Sequence, residues 1–99
     1  MIIVTGHAKM KPGALAALRP AMEAMILASR AEEGCLGYSY GVDTLDEDRM
    51  LVLEYWRDMA ALEAHFAAPH MADWRAALAG HVVELDVKAG DASTMKPLG

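Results

Sequence analysis

Residues 35–57 read CLGYSYGVDTLDEDRMLVLEYWR, and the fold follows from how this stretch is parsed. From Cys35 to Val42 the chain alternates: Cys35, Gly37, Ser39 and Gly41 are small, whereas Leu36, Tyr38, Tyr40 and Val42 are large. A period of two marks a strand, because successive side chains point to opposite faces. From Arg49 to Arg57 the alternation returns, with Leu51, Leu53 and Tyr55 on one face and Met50, Val52, Glu54 and Trp56 on the other. The polar run Asp43 to Asp48 between them reads as a hairpin loop, so the two strands pair antiparallel. Both faces of this pair carry sizeable apolar groups, and both therefore need cover.

Outward on the N-terminal side, Ile2 to Met10 reads as a first strand that ends at the turn Lys11-Pro12-Gly13. A helical pattern follows from about Ala14 to Ala31, with Leu15, Leu18, Met22, Met25, Ile26 and Ser29 on one face. Pro20 is expected to kink it or to mark its true first turn, and Gly34 to close it as a left-handed stop. Outward on the C-terminal side, Asp58 is a natural N-cap for a helix from Met59 to about Ala67. Pro69 interrupts that helix, and a further helical stretch puts Met71, Trp74 and Leu78 on one face before Gly80. His81 to Lys88 reads as a fourth strand. Residues 91–99 form a tail or an arm exchanged between subunits, after one domain over residues 1–90.

The order is strand, helix, strand, strand, helix, strand. This is the ferredoxin-like βαββαβ class of α+β fold, with a four-stranded antiparallel sheet and the helices on one face. Helices can cover only one face of the sheet, and a second copy of the chain is the natural cover for the other. Composition agrees, since 55% of the 99 residues are hydrophobic and so short a chain has much surface for its volume.

Other partners fit less well. No apolar run approaches the roughly 20 residues that span a membrane, and the N-terminus lacks the basic and apolar regions of a signal peptide. The expected location is the cytoplasm. The net charge is −5 and the nine Lys and Arg are scattered, so nothing resembles the basic stripe of a nucleic-acid binder. The single cysteine, Cys35, excludes an intrachain disulfide and a cysteine-based zinc site. The chain contains neither Asn nor Gln, so no amide side chain can orient a substrate.

Four segments resemble one family. Glu33-Gly34-Cys35-Leu36-Gly37-Tyr38 is similar to the "epGclsY" segment of antibiotic-biosynthesis monooxygenase domains. Leu53-Glu54-Tyr55-Trp56-Arg57-Asp58 resembles that family's "yEvW.d", and Leu62-Glu63-Ala64-His65-Phe66 its "leaHl". Lys11-Pro12-Gly13 matches its "kpG" turn. Together they cover about residues 2 to 88. The resemblance implies a dimeric α+β barrel with a pocket in each subunit between sheet and helices. It also implies oxidation of a small phenolic or quinol-type substrate by molecular oxygen, with no flavin, metal or haem. The haem-degrading branch uses a strand-one asparagine; the equivalent position here is about Gly6, so haem degradation is not expected.

Such chemistry needs an apolar pocket, a base, and donors that stabilise the developing anion. His65 matches the family's helix-two histidine and is the leading candidate base, with Phe66 as an apolar wall; the plainer alternative is a surface histidine. Trp56 offers an indole N–H, and Glu54 shares its strand face, either with a raised pKa or paired with Arg49, Arg57 or Arg75. Tyr38 and Tyr40 project the same way and could hold a substrate oxygen or stack on a ring; packing is their other reading. His7 and His70 complete a possible ring. No metal site is expected, because His65 and His70 are five apart across a Pro break. The eight methionines and Cys35 read as packing. A non-oxidative small-molecule-binding protein or isomerase of the same fold is the competing functional reading, and a purely structural dimer module is a third.

Overall fold

The computed structural model describes residues 1–99. Its elements run β1 (Ile2–Met10), α1 (Ala14–Arg30), β2 (Cys35–Asp43), β3 (Asp46–Trp56), α2 (Met59–Phe66), α3 (Pro69–Leu78) and β4 (Val82–Asp91). The strands form one antiparallel sheet in the order β2-β3-β1-β4, which is the ferredoxin-like arrangement expected. The second helical region is two helices, since Pro69 takes the first position of α3, where its missing N–H costs nothing. No helix is long and apolar enough to cross a membrane.

Details differ from expectation where local geometry outweighs pattern. Pro20 lies inside one continuous α1 rather than at its start. The hairpin is tighter than a six-residue loop, because β2 runs to Asp43 and β3 begins at Asp46. Asp43 Oδ1 accepts from Leu45 N at 2.8 Å and Asp46 Oδ1 from Asp48 N at 3.0 Å, so acids that look like loop residues instead organise the strand ends. β4 continues to Asp91, and beyond it Ala92 is buried, with its N–H donating to Met1 O at 2.9 Å.

Two glycines shape the helix joints, Gly34 differently from its sequence reading and Gly13 within the turn expected. Gly34 is not left-handed; a Cβ there would stand 2.2 Å from the Ala61 Cβ, so it lets the α1–β2 turn lie directly on α2. Gly13, with φ of 77°, enters α1 in the left-handed region, and its N–H donates to Asp48 Oδ1 at 3.2 Å.

A bulge between Cys35 and Gly37 breaks the alternation of β2. Cys35 pairs with Trp56 and Tyr38 with Glu54, so Cys35 joins the core side and Leu36 is turned out, 59% exposed. The sheet face under the helices then carries Val4, Ala8, Met10, Tyr38, Met50, Val52, Glu54 and Trp56, all buried against Leu15, Leu18 and Met25 of α1, Leu62 of α2 and Trp74 of α3. The opposite face carries Leu36, Leu51 and Leu53, all exposed, beside Ile3, His7 and Tyr55.

Candidate active site

The residues that carry chemistry converge on the helix-covered face, at the ends of β2 and β3. Asp58 caps α2 by accepting from Ala61 N at 2.9 Å, and this fixes the helix that carries His65 one turn further on. The His65 ring lies over the sheet with its centroid 4.5 Å from that of Trp56 and 5.4 Å from that of Tyr38. It is 1% exposed, so the surface-histidine reading fails: packing between the sheet and α2 encloses the ring. Burial lowers its pKa against the opposing pull of Glu32, and the imidazole is neutral at pH 7.

Nδ1 of His65 donates to Glu32 Oε2 at 2.6 Å, and Nε2 of His70 donates to the same oxygen at 2.8 Å. The carboxylate oxygen accepts from both rings, so His65 Nδ1 carries the proton and Nε2, which makes no hydrogen bond, is the bare nitrogen. Glu32 was passed over in the sequence because Glu32-Glu33-Gly34 reads as an ordinary helix ending. The break at Pro69, which looked like an obstacle to joining His65 and His70, is what aims His70 back at Glu32.

Glu32, His65 and His70 have ligand atoms within 4.8 Å of one another. Tetrahedral metal ligands at ~2.05 Å from an ion stand ~3.3 Å apart. The observed 2.6 and 2.8 Å are hydrogen-bond spacings, and both N–H groups are engaged. As arranged, with both rings at hydrogen-bond distance from one carboxylate oxygen, the cluster is a proton-handling group.

Glu54 is 6% exposed and its Oε1 accepts from the Trp56 indole N–H at 3.0 Å. It pairs with none of Arg49, Arg57 and Arg75: Arg57 meets Glu33 and Asp58, Arg49 faces Asp43, and Arg75 donates to Phe66 O. With no cation beside it, burial pushes the Glu54 carboxyl up to about 7, against the Trp56 bond that holds it down. The Trp56 N–H is thus occupied by Glu54 rather than free for a ligand.

The Tyr38 and Tyr40 hydroxyls hydrogen-bond to each other, and the Tyr40 ring stacks on Trp74 at 5.8 Å. Burial raises both phenols far above the ordinary tyrosine range, so both stay protonated and act as donors at neutral pH. Beneath them Ser29 is fully buried; it lies close enough to favour the ionised Tyr38 slightly, yet its Oγ is outside hydrogen-bond geometry. Arg30 closes the end of α1 over β2 through Tyr38 O at 2.8 Å.

The remaining candidates part company. His7 projects from the opposite face of the sheet, because it alternates with Gly6 and Ala8 on β1 and pairs with Leu51 and Asp86. It cannot join a ring with His65. Phe66 is 47% exposed and its ring centroid is 6.0 Å from that of His65, so it flanks the cluster from outside instead of walling it. Cys35 is partly buried with its thiol pushed up by burial, consistent with packing and not with a nucleophile.

An open groove of about 570 Å³ runs between α1 and the β2–β3 hairpin, walled by Tyr40, Leu15, Met22 and Ile26 with Glu23 and Asp48 at its rim. It reaches Tyr40 and stops there. His65 lies one ring deeper, behind Tyr38.

The sequence profile of the antibiotic biosynthesis monooxygenase family matches residues 1–77. Among individual proteins, the chain is 36% identical over 66 residues to Rv0793 of Mycobacterium tuberculosis, covering 67% of this chain and 64% of that one. The solved structure of Rv0793 superposes with a TM-score of 0.80 at 27% identity, over 99% of this chain and 95% of the other. "Probable quinol monooxygenase YgiN" of Escherichia coli K12 is 35% identical over 65 residues, 58% of this chain and 62% of its own. A crystal structure described as an antibiotic biosynthesis monooxygenase superposes with a TM-score of 0.85 at 29% identity, over 93% of this chain and 98% of that one. The matched stretch spans less than two thirds of the length of these two curated relatives, 64% and 62%. With the profile matching residues 1–77 and the fold in agreement, this chain belongs to the antibiotic biosynthesis monooxygenase family.

Proposed function

We propose that the protein is a cofactor-independent monooxygenase that oxidises a small phenol or quinol with molecular oxygen. One observation carries the reading: a neutral, buried histidine with a bare Nε2 lies beside the protonated Tyr38, one ring deeper than the groove that ends at Tyr40. The aromatic ring of the substrate occupies the groove beside Tyr40, and its oxygen enters where the Tyr38 and Tyr40 hydroxyls now meet. His65 takes the phenolic proton on Nε2, while the two tyrosine hydroxyls donate to the phenolate oxygen. Both tyrosines stay protonated and Glu54 is about half ionised at neutral pH, which leaves His65 as the neutral base closest to Tyr38.

The electron-rich phenolate then reduces oxygen directly. A ring carbon forms a C–O bond, the peroxide O–O bond breaks, one oxygen atom stays as a carbonyl and the other leaves as water. A phenol and one oxygen molecule thus give a quinone and water, with all electrons supplied by the substrate. The name borne by the Escherichia coli relative supports the quinol class.

The proposal extends to assembly. The exposed Leu36, Leu51 and Leu53 form an apolar surface suited to a second copy of the chain; because Asp91 ends β4 and Ala92 is buried, the folded domain runs to 92 rather than 90 and the arm beside it is residues 93–99 rather than 91–99. Oxygen uptake by purified, metal-free protein, measured on a panel of quinols with autoxidation subtracted, tests the activity. Saturable uptake that falls about 10²–10⁴-fold in His65→Ala is expected. Turnover of a bound ligand without oxygen consumption would replace this reading with the isomerase of the same fold.

A further inference from the structure

The turn that holds Glu32 is built with little freedom. Glu32 N donates to Ser29 O at 3.1 Å, Cys35 N donates to Glu32 O at 3.1 Å, and Arg57 N donates to Gly34 O at 2.8 Å. Gly34 rests on Ala61, one helical turn before His65, so the turn and the helix that carries the histidine are docked as a unit. The neighbouring Glu33 behaves as an ordinary surface acid, 94% exposed at its side chain and 3.7 Å from Arg57. Glu32 turns the other way, 18% exposed, and serves two imidazoles instead of an available arginine.

We propose that Glu32 is the positioning residue of this site: it fixes His65 in the tautomer with a bare Nε2 and holds the imidazolium formed when that nitrogen takes a proton, while His70 clamps the carboxylate from the solvent side. The proposal deepens the monooxygenase reading and rests on it for its catalytic meaning, though not for its tautomer. The chain has no Asn or Gln to compete for this role, and the group that Nδ1 of His65 meets is the Glu32 carboxylate. The charged and titratable groups around His65 are Glu32 in the turn after α1, His70 and Arg75 on α3, and Tyr38 from the sheet, with Glu54 bonded to the neighbouring Trp56. Of these, only Glu32 is a carboxylate hydrogen-bonded to the ring, so only Glu32 stabilises the charged form directly.

Nitrogen-15 NMR of the histidine rings in the full chain tests this. The wild type is expected to show His65 as the Nδ1–H tautomer. Glu32→Gln, whose amide can donate to Nδ1, is expected to shift it to the Nε2–H tautomer, and Glu32→Asp to retain the wild-type one. In turnover, Glu32→Gln is expected to lower kcat by about 10²–10⁴-fold with KM little changed. The acid limb of its pH profile moves to lower pH, because the imidazolium has lost its counter-charge. His70→Ala is expected to cost no more than about tenfold. An Nε2–H tautomer in the wild type would overturn the proposal even if no variant folds, and so would Glu32→Gln with unchanged tautomer and kcat. If the tautomers behave as stated but no quinol is turned over, the positioning role stands and the oxygenase reading falls.

Discussion

Tyr55 and Trp56 are adjacent in the chain and occupy opposite worlds. Trp56 is fully buried under the helices, stacked near His65 and bonded to Glu54. Tyr55 looks out from the other face, among Leu36, Leu51 and Leu53, where no helix covers the sheet. One residue of register separates the enclosed cluster around His65 from an exposed apolar surface. The strand period of two lets a short chain use one sheet twice: its inner face holds the buried hydrogen-bonded pairs Tyr38–Tyr40 and Glu54–Trp56, and its outer face exposes Leu36, Leu51 and Leu53. The charge distribution follows the same division, with a carboxyl driven toward its neutral form inside and the ion pairs kept to the edges and turns.

The sharpest way to break the comparison is to truncate the two neighbours separately. Trp56→Ala is expected to cost about 3–5 kcal/mol in chemical denaturation, because it removes a fully enclosed ring and strands the Glu54 carboxyl. Tyr55→Ala is expected to leave the monomer's stability within about 1 kcal/mol. Equal costs would mean that both faces are core.

Placing a charge on the outer face probes assembly. If the proposed pairing of outer faces holds, Leu53→Glu is expected to weaken self-association by about 10³-fold, or about 4 kcal/mol, by burying a carboxylate without a partner. Analytical ultracentrifugation against concentration reads this directly, and near-UV circular dichroism should remain native because the inner face is untouched. A wild type that is monomeric at all concentrations would remove the outer face from the comparison.

The inner face has its own pH signature. Glu54 holds its proton up to about 7 when folded and loses it near the ordinary carboxyl value of about 4.5 when unfolded. Between those values the folded state binds more protons, so stability falls as pH rises through about 4.5 to 7 and then levels off. Glu54→Gln is expected to remove this slope, gaining up to about 3 kcal/mol relative to wild type at pH 8 and little at pH 4. Thermal melts at both pH values check it, and parallel slopes in the two proteins would show that Glu54 ionises freely.

The smallest effect concerns the platform for His65. Asp58→Ala removes the α2 cap and is expected to cost about 1 kcal/mol. Hydrogen exchange should quicken in α2 while β1 and β4 keep their protection.

Much of this was legible from residue types. The alternation of β3, the helical face of α1 through Leu15, Leu18 and Met25, and the Asp58 cap are local patterns, and local patterns survive folding. That Tyr38 shares a face with Tyr40, and Glu54 with Trp56, followed from period two; that each pair is hydrogen-bonded did not, and Glu54 was expected to meet an arginine if it paired at all. What escaped was non-local or a single-residue irregularity. The bulge at Leu36 moved Cys35 to the core side, a change that no alternation count can anticipate. His7 was grouped with His65 by residue type, although the pleat sets them on opposite sides of the sheet. Gly34 was assigned to a helix stop, but its need is for close contact with Ala61.

The sequence by itself determined the order of elements, the face of the regularly alternating strand residues outside the β2 bulge, and which side chains were available as base and donors. Those properties depend on periodicity and composition, which neighbouring residues fix without reference to distant ones. Only the tertiary structure decided that Glu32, 33 residues before His65 and 38 before His70, joins them through a single oxygen. That contact needs the α1–β2 turn, α2 and α3 to be docked on one another, and nothing in a linear chain specifies distances between groups so far apart until packing does.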